Sequence, residues 1–316
     1  MDSSLHIRQG WLRALVFFFV GLVISGIFAT ITGEIIERGI FGGTITFRGT
    51  LIGTLIFYLV NNIGLLFCLW YFRRVIDRQS VGSLGLSWKG FGSDALLGFV
   101  VAVATLSLGT FLLYLGGNLT IRGFSFDAQN VMVAILFYVI VAFSEELIIR
   151  GYILNSMMES MNRWPALFVS AILFTLMHVS NPEITPLAGL NIFLAGILLG
   201  INYIYTKNLW FAIFFHFGWN FFQGTVLGYH VSGVDVEQGF LRTYTNGPDL
   251  ITGGSFGFEG SIFAAILQVI VIALLTIYFE KKYGYRILWA LENDKGKTEE
   301  VVLTEEETPV VEDSVD

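Results

Sequence analysis

Glu145 and Glu146 stand side by side in AILFYVIVAFSEELIIRG, a stretch otherwise composed like a membrane helix. A carboxylate in hydrocarbon costs about 2.5–3.5 kcal/mol even on lenient insertion scales. Two adjacent ones need partners or a task. Two further apolar segments each carry one histidine, His178 in AILFTLMHVSN and His216 in FAIFFHFGWN. Asn220 follows His216 by four residues, so the two project from one helix face. Glu146 precedes Arg150 by the same spacing, with the acid N-terminal to the base, the favourable order for a helical pair. Such a pair neutralises two charges that are untenable alone. One arginine cannot compensate two carboxylates, so Glu145 is left for another role. Polar groups on three separate membrane helices suggest one buried centre, and chemistry.

The residue types point to hydrolysis of an acyl bond. Glu145 would act as general base on a water, and His178 would hold and polarise the same water. His216 and Asn220 would donate hydrogen bonds to the oxyanion formed on the attacked carbonyl. A water-excluded cavity strengthens such donors. One glutamate and two histidines also match the ligand count of a catalytic zinc site, although the H-E-x-x-H helix motif is missing. The expectation is metal-free hydrolysis without a cofactor, with zinc as the alternative. Ser144 precedes Glu145, but adjacent helical residues point about 100° apart, so it is a poor nucleophile. Cys68 is the one cysteine, inside an apolar run, which excludes an internal disulfide framework and a Cys-based zinc site. His6 and His230 lie outside the apolar spans and read as bystanders.

Positioning these residues requires a polytopic, all-α membrane fold. The 316 residues are 54% hydrophobic and 14% charged, with a mean hydropathy of +0.70. Soluble chains carry about 25% charged residues. Eight spans are read at roughly 11–32, 50–72, 94–115, 130–150, 164–180, 187–206, 208–228 and 260–280, each near the ~20 residues that cross a bilayer. They make one expected transmembrane domain, 1–291. The tail 292–316 holds ten acidic residues against two lysines, net -8, and reads as a disordered cytoplasmic segment. The formal charge of -7 therefore leaves the rest near +1 and implies no nucleic-acid partner. Arg73, Arg74, Arg78, Lys89, Lys207, Lys281, Lys282 and Arg286 orient the set with both termini in the cytoplasm. For Glu145 and His178 to share a depth, helix four must run past Arg150 to about Met161, with a tilt or bend. The connection 229–259 is long and glycine-rich. It reads as a surface loop on the non-cytoplasmic side, with a lid or re-entrant role as the alternative.

Glu145-Glu146-x-x-x-Arg150, Phe174-x-x-x-His178 and His216-x-x-x-Asn220, in this order, resemble the three signature motifs of the CPBP intramembrane protease family. That family joins the CAAX proteases and bacteriocin-processing enzymes, is also called Abi, and includes the type II CAAX prenyl endopeptidases. The likeness covers about residues 90–280 and is strongest over 130–225. It implies an eight-helix fold whose catalytic cavity is formed by helices four to seven and opens to the cytosol. It implies water activation by Glu145 and His178, an oxyanion site at His216 and Asn220, and supporting roles for Glu146 and Arg150. It also implies glutamate-dependent, metal-free proteolysis. The segment Gly247–Gly260 resembles that of prokaryotic members and differs from the prenyl-protein processors; the expected substrate is a membrane-associated or lipidated peptide or protein. Cleavage is expected near the cytoplasmic face of the plasma membrane. A competing class is a non-proteolytic membrane partner or immunity protein with a purely structural polar centre. A proton-coupled transporter is a third, weakened by the lack of an internal repeat.

Overall fold

The computed structural model describes residues 7–32, 34, 51–234 and 239–284. The expected acidic tail, Arg286, His6 and most of the loop 33–49 lie outside the described residues. Along the chain run α1 (Gly10–Thr30), α2 (Leu51–Tyr71, continued by a π turn to Ile76), α3 (Gly92–Leu115), β1 (Leu119–Phe124) and α4 (Ala128–Glu146). A π-helical stretch, Leu147–Leu154, carries α4 into α5 (Asn155–Met158). There follow α6 (Arg163–Met177), α7 (Pro186–Thr206), α8 (Trp210–Phe221, continued to Val226), β2 (Leu241–Thr245), α9 (Asp249–Thr252) and α10 (Ile262–Phe279, continued to Gly284).

Among the described residues six helical rods are long and apolar enough to cross a membrane: 10–30, 53–76, 92–115, 128–158, 186–206 and 262–284. The helix α6 is shorter, with 15 residues. The outer faces suit lipid: Phe19, Val23, Ile63, Leu96, Met132 and Leu274 are 61–69% exposed. The protein is thus an all-α polytopic membrane protein. Its small addition is an antiparallel β1–β2 pair, Leu119 opposite Thr245, with a bulge between Ile121 and Phe124. Hydropathy gives no sign of this pair.

Local chemistry sets the helix ends. Asp127 caps α4 by accepting from the Gln129 and Asn130 amides, and Asn162 caps α6 from Trp164. Thr185 caps α7 just ahead of Pro186, and Ser261 caps α10. Small residues let the rods close on one another. A Cβ on Gly196 of α7 would stand 2.8 Å from Ala171 Cβ of α6, and one on Gly98 of α3 would strike the α8 backbone at Phe211.

The expected extension of helix four is present. The rod spans 31 residues, Ala128–Met158, and passes through Arg150 and Gly151 without a break. At 1.5 Å per residue that is about 45 Å, more than a hydrocarbon core of about 30 Å, so the rod tilts or protrudes. One end of the bundle is basic and tightly tied. Arg13 lies 3.0 Å from Asp77 and also pairs with Glu159, while Arg73 meets Asp77 at 3.1 Å. Asp94 at the start of α3 holds Lys282 at 2.6 Å and takes hydrogen bonds from Tyr283 and Asn202. The start of α1 and the end of α10 therefore lie at this same end.

Candidate active site

Depth brings the first two groups level. Glu145 is 13 residues from Met158, about 20 Å along the rod, and His178 caps α6 15 residues from Arg163, about 22 Å. Glu145 is also 17 residues, about 26 Å, from Ala128. This is near the middle of the rod.

Glu145 Oε1 accepts from the Tyr58 hydroxyl of α2 at 2.6 Å. Glu145 Oε2 has no hydrogen-bond partner among the described residues and faces His178 Nε2 and His216 Nε2, each at 3.9 Å. Both imidazoles are oriented from behind. The His178 Nδ1 lies 2.8 Å from the Phe174 carbonyl, which can only accept, so Nδ1 carries a proton and the ring is held with Nε2 toward Glu145. The Phe174-x-x-x-His178 spacing is thus a backbone bond one helical turn long. His216 Nδ1 meets Glu146 Oε1 at 2.9 Å. The same oxygen accepts from Arg150 at 2.8 Å, with both side chains 0% exposed. Arg150 also donates to the Gly196 carbonyl at 3.0 Å and lies over the Phe174 ring. The expected Glu146–Arg150 pair is present, and it does more than neutralise charge, because it anchors His216. The π-helical stretch around Arg150 widens the helix at this point, as such turns often do at functional sites. Ser144 instead donates to the Ile140 carbonyl of its own helix.

Two cavities meet here. The larger, about 460 Å³, reaches Glu145, His178, His216 and Asn220. It extends past Val141, Tyr138 and Phe137 toward the Ala128 end of α4, away from the basic end. Its walls include Thr54, Tyr58 and Asn61 of α2, so the site is not built by helices four to seven alone. A smaller chamber of about 50 Å³ shares His178, His216, Asn220 and Ser232 with it and runs on to Asn191, Glu259 and Gln268.

The connection 229–259 is not a bland surface loop. Phe256 and Phe258 are 1% and 0% exposed. Gly233 and Gly257 hold φ +79° and +101°, and a Cβ there would strike the carbonyls of Pro182 and His230. Glycine is therefore required where this loop folds back on the segment after His178. The fold-back carries Glu259 to the chamber wall. Its carboxylate accepts from the Ser232 amide and hydroxyl, the latter at 2.9 Å, and from Trp219 Nε1 at 3.3 Å. Burial raises the Glu259 pKa above the ordinary carboxylate value, against the opposing pull of these donors.

Sequence reasoning thus found four groups that converge: Glu145, His178, His216 and Asn220. It missed Tyr58, Ser232, Glu259, Asn191 and Gln268. The cue for Tyr58, Asn191 and Gln268 is their polarity inside apolar spans. Ser232 and Glu259 had no cue in a loop. Among the described residues no group of three or more His, Cys, Asp or Glu is disposed to hold a metal ion.

Residues 127–222 match the family model described as Type II CAAX prenyl endopeptidase Rce1-like. The matched stretch runs from the cap of α4 to the end of α8 and contains all three motifs. It supports the CAAX protease family that the motifs resemble, and with it a CAAX-type intramembrane protease. No curated protein and no solved structure matches the chain.

Proposed function

We propose, from the CAAX-protease likeness of residues 127–222, that this chain is an intramembrane endopeptidase driven by a glutamate-activated water. The observation that carries the reading is the pair of 3.9 Å gaps between Glu145 Oε2 and the two imidazole Nε2 atoms. That separation is too long for a direct hydrogen bond. A water about 2.8 Å from both Glu145 and His178 would subtend roughly 90° between them.

Such a water donates one proton toward Glu145 Oε2 and the other toward His178 Nε2, and turns its lone pairs to the substrate carbonyl. As the C–O bond forms, its proton passes to Glu145. His216, protonated on both nitrogens with Nδ1–H on Glu146, donates from Nε2 to the oxyanion. Asn220, one turn along α8, supplies a second donor. Glu145 then returns the proton to the leaving nitrogen as the C–N bond breaks. Tyr58 holds the other oxygen of Glu145 and so aims Oε2. The substrate is a membrane-associated or lipidated peptide or protein that reaches the site within the bilayer. No metal is needed for these steps.

The test is proteolysis by the purified protein in liposomes, with peptide termini read by mass spectrometry. Glu145→Gln, His178→Ala and His216→Ala are each expected to abolish cleavage while the protein still inserts and purifies. Full proteolysis by Glu145→Gln would sink the mechanism. Metal analysis of active wild-type protein decides separately between this route and zinc.

A further inference from the structure

The small chamber behind the catalytic groups carries an excess of hydrogen-bond acceptors. Asn191 is 1% exposed, and its amide nitrogen donates to the carbonyls of Glu259 at 2.7 Å and Ser261 at 2.8 Å. Those two carbonyls can only accept, so the amide orientation is fixed and Asn191 Oδ1 is the free end. That oxygen is buried without a partner among the described residues. Gln268, 2% exposed on α10, places a second amide on this wall, its Oε1 buried and without a partner among the described residues. Leaving such acceptors unmet costs about 1–3 kcal/mol each. Glu259 adds a carboxylate on the same wall. The rest of the wall is Phe174, Ile192, Ala195, Leu199, Phe215 and Trp219, with His178, His216, Asn220 and Ser232 where the chamber meets the larger cavity, and no lysine or arginine among the described residues. Three acceptors, one of them a carboxyl group, grouped at the far wall from His216 and Asn220, match a guest that brings several donors and a positive charge.

Resting on the protease reading, we infer that this chamber is a substrate subsite that takes a lysine side chain next to the scissile bond, with Glu259, Asn191 and Gln268 receiving its ammonium group. An ammonium has three donors and no acceptor, and a compact head on an apolar stem. The recess of about 50 Å³ has room for that head and the last methylenes. The route is short, because His178, His216, Asn220 and Ser232 border both cavities. A peptide lying in the larger cavity with its carbonyl at Glu145 can send one side chain past His216 and Asn220 into the chamber. The glycine-dependent fold of the 229–259 connection then gains a purpose, since it is what delivers Glu259.

The experiment uses the full-length protein in liposomes with a mixed peptide library, and cleavage sites are mapped by mass spectrometry. Wild type is expected to enrich lysine at one position flanking the cut bond. Glu259→Gln keeps the shape of the side chain and an oxygen for Ser232, and should cut that enrichment at least tenfold in favour of neutral residues. Gln268→Glu should raise it, a gain that misfolding cannot mimic. Glu145-dependent cleavage without lysine enrichment, or with enrichment unmoved in both variants, overturns the subsite and leaves the protease standing. A wild-type cleavage pattern identical to that of Glu145→Gln overturns the protease reading, and the subsite falls with it.

Discussion

The Glu146–Arg150 pair offers the sharpest energetic test of how this centre is held. Both side chains are 0% exposed, and their charged atoms meet at 2.8 Å. Removing one partner of a buried pair destabilises by about 3–5 kcal/mol, whereas replacing both by apolar groups is close to neutral. Arg150→Met should therefore lower the folded-to-unfolded ratio by roughly two to four orders of magnitude. Glu146→Leu should do at least as much, since it leaves Arg150 charged and also strips His216 of its 2.9 Å partner. The double variant loses only what the orphaned His216 and the Gly196 contact were worth, about 1–3 kcal/mol. Unfolding by SDS titration in mixed micelles, followed by the fluorescence of the seven tryptophans, gives all four corners of the cycle. The double variant should be more stable than either single one, yet inactive, because His216 is no longer aimed. Additive losses would refute the view that the two charges exist for each other.

Three further outcomes follow from the same geometry. Tyr58→Phe removes a bond to a charged acceptor worth about 1.5–3 kcal/mol, so kcat should fall roughly tenfold to a hundredfold with KM little changed; an unaltered kcat would remove Tyr58 from the site. Gly257→Ala meets φ +101° and the His230 carbonyl, and should lower stability by about 1–3 kcal/mol in the same titration. Burial raises the pKa of Glu259 in the folded state, so between the ordinary carboxylate value and the raised one the folded protein binds more protons. Stability attributable to this group is thus fullest at low pH and is lost as pH rises through that window. A thermal-melt series should show this loss in wild type and not in Glu259→Gln; equal slopes would disprove it.

Features that depend on short-range periodicity are legible in the amino-acid string. Desolvation cost marked Glu145, Glu146, His178 and His216 as exceptional, and the i,i+4 spacing fixed which neighbours share their faces: Arg150, Phe174 and Asn220. Those pairings are properties of a single helix, and the structure keeps them. The extension of helix four was legible because two polar groups had to share one depth. Tertiary structure alone decided what meets across helices. That Glu146 serves His216 rather than only Arg150, that Tyr58 holds Glu145, and that Glu259 returns from a distant loop all depend on how closely rods approach. Small residues such as Gly98 and Gly196 and left-handed turns at Gly233 and Gly257 set that approach. A hydrophobic pattern records which face of a helix avoids water. In a bilayer most faces do, so the pattern does not say which helix each face will meet.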